Sequence, residues 1–496
     1  MKGVSQMLGT RRLPAACQGV FLLVLVGRCV SAADVIFDVP TGQRQLFLDD
    51  HGIETLHNLT RTLHQPEKKG AVIRNPQPHK TIQIRTAPFW VPEEKQFRIY
   101  VSGTDHRLWV SPDGLHWRPG PDADNHPSMV VYDPHDPDQP YKAVRLNNGF
   151  AVSADGVQWS DPGVATVSSS DEGNFSYNPK HGLFIHTVKR GGPYGRAVAV
   201  AVSKDFKTWD DYGLIFHADE QDQVMGRETI ERRINDPTQQ QTEYNNPDQY
   251  SVQIYNMGVF HYEGLYIGLP SMYHATGRVP NTWPGFEKMH LSPYILGLVR
   301  QYGDYTGFYT IQVVCSRDLK NWTRVGNRKA FIETSSLNSG AYDRQTIIGP
   351  SNALVRGDEL WFYYTGIRQY AFVTSGRDPG YDDYHPDAGA ICLATLRKDG
   401  FISVDAAESG GSLLTQPFEL RGSELMVNVA CRKKGQLQVE LLNGDNSVLA
   451  TTIPLEDNKV ATKLAWNDNG ITKFVGQQVR LRFTLTKASL YSYWIE

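Results

Sequence analysis

Cysteine is scarce in this 496-residue chain. Five are present; Cys17 and Cys29 fall in the stretch before Ala33, and only Cys315, Cys392 and Cys431 lie beyond it. Three scattered thiols exclude a disulfide framework and a cysteine-rich zinc site, and allow one pair at most. Histidine supplies no metal pattern either: His79, His181, His186, His217, His261 and His274 are dispersed, with no His-x-His spacing. No cofactor is expected. Asp382 and Asp383 could ligate calcium, but an acidic surface loop accounts for them. An excess of one charge is also missing. The formal net charge is −3, so nothing points to nucleic acid as a partner. Long hydrophobic runs are absent too, since none reaches the roughly 20 residues that cross a bilayer.

The short apolar stretch 20–26 follows Lys2, Arg11 and Arg12 and precedes Val30-Ser31-Ala32, the grammar of a secretory leader cleaved near Ala32. The expectation is a secreted or periplasmic protein with no membrane attachment after cleavage. Asn58, Asn174 and Asn321 begin N-x-Ser/Thr acceptor patterns, which matter only in a eukaryotic host.

What the chain does contain is a repeat. Ser-x-Asp-x-x-x-Trp occurs at Ser111 to Trp117, Ser153 to Trp159, Ser203 to Trp209 and Ser316 to Trp322. The first three tags follow one another at similar intervals, while the step from Trp209 to Trp322 is about twice as long, so five units are predicted. In each, a short β-branched strand runs into Ser, Asp makes a tight turn, and Trp starts the return strand. Asp113-Gly114 and Asp155-Gly156 suit a turn that needs positive φ; Asp205-Phe206 and Asp318-Leu319 are expected to turn differently. These residues are read as hairpin fasteners, not as chemistry.

Strand-like runs at 97–101 and 107–110, 128–132 and 141–144, 174–177, 183–188 and 197–202, 250–260 and 264–269, and 359–366 and 390–396 fill five blades. Five radial sheets make a β-propeller with a central channel. The fifth unit ends in Arg397-Lys398-Asp399-Gly400-Phe401, which lacks its Trp. Residues 212–250, 271–310 and 367–388 read as long loops of the kind that carry function. After 406–411 the texture changes to alternating strands, a β-sandwich. The predicted layout is therefore all-β: leader 1–32, five-bladed propeller 33–405, linker 406–416 and sandwich 417–496.

A propeller followed by a β-sandwich, with Ser-x-Asp-x-x-x-Trp tags across most of residues 80–400, resembles glycoside hydrolase family 32 and, more loosely, the family 43 clan. Arg44-Gln-Leu-Phe-Leu-Asp-Asp50, Thr62-Leu-His-Gln-Pro-Glu-Lys68 and Tyr262-Glu-Gly-Leu-Tyr-Ile-Gly268 are similar to exported bacterial proteins, planctomycete-type ones among them, that are called family 32-like. The resemblance implies hydrolysis of a glycosidic bond in a poly- or oligosaccharide by carboxylate acid/base catalysis, with acids from blades one, two and three. Residues 79–90 carry no carboxylate, and Arg74-Asn75-Pro76 stands where the family would place Asn-Asp-Pro, so the blade-one acid is missing. The family-like triplets Asn235-Asp236-Pro237 and Arg377-Asp378-Pro379 sit in late loops and read as chance.

By position, Asp171 and Glu172 precede blade three's inner strand, Asp248 precedes blade four's and Asp343 precedes blade five's; these four are the candidate catalytic acids. Asp49 and Asp50 could complete the set if the N-terminal strand closes the propeller. Arg85, Tyr250, His274 and Arg344 could bind sugar hydroxyls or an anion, and Trp90 or Trp283 could stack on a sugar ring. The empty blade-one position leaves open a non-catalytic glycan- or partner-binding propeller, or a lyase or phosphorylase on the same fold.

Overall fold

The computed structural model describes residues 37–74, 82–104, 106–121, 127–288, 290–302, 304–369, 387–467 and 470–496. The leader, His79, Arg377-Asp378-Pro379 and Asp382-Asp383 fall outside the described residues. Phe37–Glu496 forms one contact-continuous unit.

Five antiparallel sheets succeed one another along the chain. Blade one pairs Phe89–Val91, Gln96–Tyr100, Leu108–Ser111 and Arg118–Pro119 in order. Blade two has Met129–Tyr132, Tyr141–Val144 and Phe150–Ser153, with a single bridge from Val152 to Ser160 standing for its fourth strand. Blade three is Gly173–Asn178, Leu183–Gly192, Gly195–Ser203 and Asp210–Phe216. Blade four is built on the long hairpin Ser251–Tyr262 and Leu265–Val279, which pairs onward with Asp304–Ile311 and Val314–Ser316. The apolar residues collect between neighbouring blades: Val91, Tyr100 and Val130 between one and two; Phe150, Phe175 and Phe184 between two and three; Val200, Ile254 and Met257 between three and four. Strands with neighbours on both faces bury both side-chain rows, which is why Ala197 to Val202 reads as a continuous apolar run.

Blade five explains its own missing tag. Thr346–Ile348, Glu359–Ile367 and Gly389–Arg397 are its first strands, but its outer strand is Glu67–Arg74 from the other end of the chain. The return strand that a Trp would have started is therefore supplied by a segment that precedes blade one, and residues 397–401 lead away from the blade. The C-terminal sheet then combines both ends of the chain: Gln45–Leu46, Ile53–His57, Thr60–Leu63, Ile402–Asp405 and Gly411–Thr415 join the 18-residue strands Leu425–Leu442 and Gln478–Ile495. Residues 406–416, expected as a linker, thus carry a strand paired with residues 482–485.

The four tags share one geometry. In each, the Ser hydroxyl donates to the Asp carboxylate at 3.0–3.1 Å, and that Asp accepts the two amides beyond it. Position four is left-handed in all: φ is 81° and 74° at Gly114 and Gly156, 60° at Phe206 and 65° at Leu319. The expectation that the last two turn differently is corrected. Left-handed backbone costs a non-glycine residue about 1–2 kcal/mol, but both side chains are 3 % exposed and seated between blades. Burial of such a side chain is worth about 1.5–3 kcal/mol, enough to hold the turn.

Two expected loops are partly regular elements. Within residues 212–250 lies a helix, Glu220–Ile234, opened by a reciprocal box between Asp219 and Asp222. Its buried positions are Asp222, Gly226, Ile230 and Arg233, so no apolar stripe announces it. Residues 271–310 hold the extension of blade four's hairpin and a second helix, Pro293–Tyr302.

Candidate functional site

A groove of about 790 Å³ opens at the propeller mouth across blades one to three. Blade one gives it Gln83, Arg85, Ser102 and Arg107; blade two gives Ser128, Arg145, Asn148, Gln158 and Trp159; blade three gives Asp171 and Glu172. Its volume lies within the range that accommodates small ligands.

Arg85 and Glu172 form its floor. The Arg85 Nε and Nη2 donate to Glu172 Oε2 and Oε1 at 2.5 and 2.7 Å, a two-bond fork between blades one and three. Nη2 also donates to Gln83 Oε1 at 2.9 Å, and the Tyr255 hydroxyl from blade four donates to Glu172 Oε1 at 2.8 Å. Backbone ties fix both partners. The Arg85 carbonyl accepts from the Ser351 hydroxyl of blade five at 2.5 Å, while the Glu172 carbonyl accepts from Ser169 Oγ and the Lys189 amide. Asn174 donates its side-chain amide to Ser351 at 2.8 Å and is 2 % exposed, which closes it as a glycosylation acceptor.

The electrostatics follow from these contacts. Burial alone would raise the Glu172 carboxyl, but the Arg85 charge and hydrogen bonds, helped by Lys189 and Tyr255, hold it below the usual carboxylate range. Glu172 is therefore a fixed anion. Burial pushes the Tyr255 hydroxyl well above its ordinary value, reinforced by the Glu172 charge, so it stays a donor. Burial lowers the Lys189 ammonium against the opposing pull of Glu172 and Asp171. Lys189 lies 2.8 Å from Asp171 and 3.7 Å above the Tyr255 ring. The Asp171 side chain itself is 69 % exposed and faces the groove.

Of the twelve candidate residues, the groove gathers Arg85, Asp171 and Glu172. Asp248 is exposed in the single turn Pro247–Gln249, and Asp343 is buried against Lys68 of blade five's closing strand at 2.8 Å, with the Tyr364 hydroxyl at 2.8 Å. Neither lines the groove. His274 is core: it stacks on Phe308, shares one hydrogen bond with Thr310, and burial lowers it to about 3. Tyr250 lies beneath Arg227, Arg344 donates to the Leu337 carbonyl, and Trp90 sits edge-on to Phe97 at the surface. Trp283 packs between Tyr244 and Phe286. Asp49 and Asp50 pair with Arg317 and Arg61, and Asp236 caps a turn by accepting from Thr238. Tyr255, Lys189, Arg145, Asn148 and Trp159 were not anticipated. Lys189 carried no distinguishing signal, since its strand also holds His186, Thr187 and a second cation, Arg190. Among the described residues no group of three or more His, Cys, Asp or Glu could hold a metal ion, and Cys315, Cys392 and Cys431 are free thiols.

Fold and groove together define a five-bladed β-propeller with an ion-paired mouth. No family model and no curated protein matches the chain. Solved structures similar to it include a Bombyx mori family 32 beta-fructofuranosidase, 10 % identical at TM-score 0.37, covering 87 % of this chain and 94 % of that one. A Bacillus subtilis family 43 arabinoxylan arabinofuranohydrolase, in complex with cellotetraose, is 11 % identical at TM-score 0.35 and covers 86 % of this chain and 99 % of its own. An N-acetylgalactosamine deacetylase from F. plautii is 12 % identical at TM-score 0.36, over 70 % and 96 %. Likenesses this remote add nothing to the strand pairings from which the fold is read, and no match bears on the narrower planctomycete-type grouping.

Proposed function

We propose that this protein is a glycan-directed propeller of glycoside hydrolase-like architecture and that the groove is its saccharide site. The observation that carries this is a polar cavity at the propeller mouth in which amide and hydroxyl side chains surround a fixed anion. Gln83, Asn148 and Gln158 can each donate to and accept from sugar hydroxyls, and Trp159 gives the groove an apolar wall. Hydrolysis with two carboxylates requires one kept protonated. Glu172 is locked as an anion by the arginine that occupies blade one's place, which favours recognition over the family's acid/base scheme.

One observation favours a second reading. Asp171 is an exposed carboxylate in the groove, paired on one side with Lys189 at 2.8 Å and open on the other to take a proton from a water. We therefore propose, for turnover, that Asp171 takes a proton from the attacking water as the glycosidic bond breaks, that solvent water in the open groove protonates the departing oxygen, and that Asp171 then returns its proton to solvent. A glycan array read together with reducing-sugar release decides. Binding without release identifies a recognition protein, and release abolished by Asp171→Asn identifies a hydrolase. No binding and no release on any glycan overturns the saccharide reading. The leader-like residues 1–32 support export, testable by recovering a mature chain that begins near Ala33 from the exterior of expressing cells.

A further inference from the structure

The carboxylates of the groove are already matched, and a cation is left over. Arg85 is committed to Glu172 and Lys189 to Asp171. Arg145, partly exposed on the groove wall, makes no ion pair among the described residues. The chain as a whole is slightly acidic, with a net charge of −3, so a spare cation here does not follow from composition.

Arg145 is also held in place by its backbone. It opens the hairpin between blade two's strands Tyr141–Val144 and Phe150–Ser153, where its amide donates to the Gly149 carbonyl at 2.8 Å and its carbonyl accepts from Asn148 at 3.0 Å. Asn147 staples that hairpin to blade three, donating to the Ser169 carbonyl at 2.7 Å and accepting from the Ser169 amide at 2.9 Å. Ser169 in turn holds the Glu172 carbonyl at 2.6 Å. Leu146 is left-handed at φ 51°, and its Cδ1 lies so close to Gly173 that a Cβ there would stand 3.1 Å away. The backbone that carries the spare guanidinium is thus fixed relative to the two carboxylates. A planar fork suits the two oxygens of a carboxylate or sulfate, whereas neutral hydroxyls are served by the neighbouring amides.

We propose that the groove takes an acidic saccharide, and that Arg145 pairs with its carboxylate or sulfate group. This rests on the saccharide reading above and adds the ligand's charge. The test is calorimetric titration of the full chain with three probes of equal length: oligogalacturonides, sulfated galacto-oligosaccharides and neutral galacto-oligosaccharides. At least one acidic probe is expected to bind about tenfold or more tighter than the neutral one, as a charge-assisted fork allows. Arg145→Gln should remove that preference and Arg145→Lys should restore part of it, with unchanged melting temperatures. The acidic probe that wins tells carboxylate from sulfate. Neutral probes binding as tightly as acidic ones, indifferent to Arg145→Gln, overturn the charge assignment and leave the saccharide site standing. If no probe binds to the native protein, the acidic-saccharide assignment fails, and the glycan array alone decides the saccharide reading.

Discussion

Glu172 at the propeller mouth and Asp399 at the joint with the C-terminal sheet are built to one plan. Each is a buried carboxylate facing one arginine and one tyrosine hydroxyl: Arg85 and Tyr255 for Glu172, Arg44 at 2.5 Å and Tyr262 at 2.6 Å for Asp399. Asp399 also accepts from Asn428 and Ser492, so blade four, the N-terminal strand and two strands of the sandwich meet on a carboxylate that is 0 % exposed. Asp343 varies the plan at blade five's closing strand, with Lys68 in place of an arginine beside the Tyr364 hydroxyl. What separates them is the space alongside. Asp399 is sealed by four donors and fastens the end of blade five where the other blades use a tag. Glu172 borders an open groove, and that alone makes it a functional candidate.

The joint should break hardest. Asp399→Asn takes from the buried Arg44 its ion-pair partner, and removing one partner of a buried pair costs about 3–5 kcal/mol. Urea unfolding should show that loss; a change below about 1 kcal/mol, the worth of an exposed pair, would mean that the joint is not a hub.

Glu172→Gln should cost less, about 2 kcal/mol, because water in the groove can solvate the released Arg85 guanidinium. Its pH behaviour sharpens the contrast. The Glu172 carboxyl is held below its unfolded value, so its contribution is present above about pH 4.3 and is lost as the pH falls through the lower folded value. Stability curves of the native and Glu172→Gln proteins should therefore converge on acidification. A constant gap down to pH 2 would show that the difference is packing and not charge.

Asp343→Asn ranks third, at about 1 kcal/mol, since Lys68 is partly exposed and keeps the Ser335 hydroxyl at 2.9 Å. Protease sensitivity confined to residues 60–75 would locate the damage at the closing strand, and cleavage spread over the whole propeller would show that this strand holds the ring shut.

The same contrast separates what was legible in the sequence from what was not. Blade count followed from the tags, because a hairpin fastener uses residues adjacent in sequence. Asp171 and Glu172 followed from their position before an inner strand. The same rule selected Asp343 and Asp248 and misplaced them, because their surroundings are set elsewhere: Asp343 meets a strand that enters from ahead of blade one, and Asp248 sits beside a helix of whose four buried residues two are charged. Arg85 was named, but nothing local revealed that it would neutralise Glu172. Partners across blades are tertiary facts, and the groove is made entirely of them.

The smallest effect tests the tags themselves. Asp205 accepts the amides of Thr208 and Lys207, which hold its carboxyl down to about 2. Asp205→Asn keeps the shape and weakens those two bonds. Because the carboxylate is exposed to screening water, the loss is about 0.5–1 kcal/mol at neutral pH, and it vanishes below about pH 2, where the native side chain is also protonated. Phe206→Gly at the same turn relieves the left-handed strain and yet should destabilise more, since it empties a site ringed by Phe150, Phe175, Phe184 and Trp209. A large phenyl removed from a core costs about 3–5 kcal/mol against the roughly 1–2 kcal/mol of strain recovered. Thermal melts of the two variants should therefore fall in the order native, Asp205→Asn, Phe206→Gly. The reverse order would mean that turn chemistry, and not the packing between blades, holds the repeat in place.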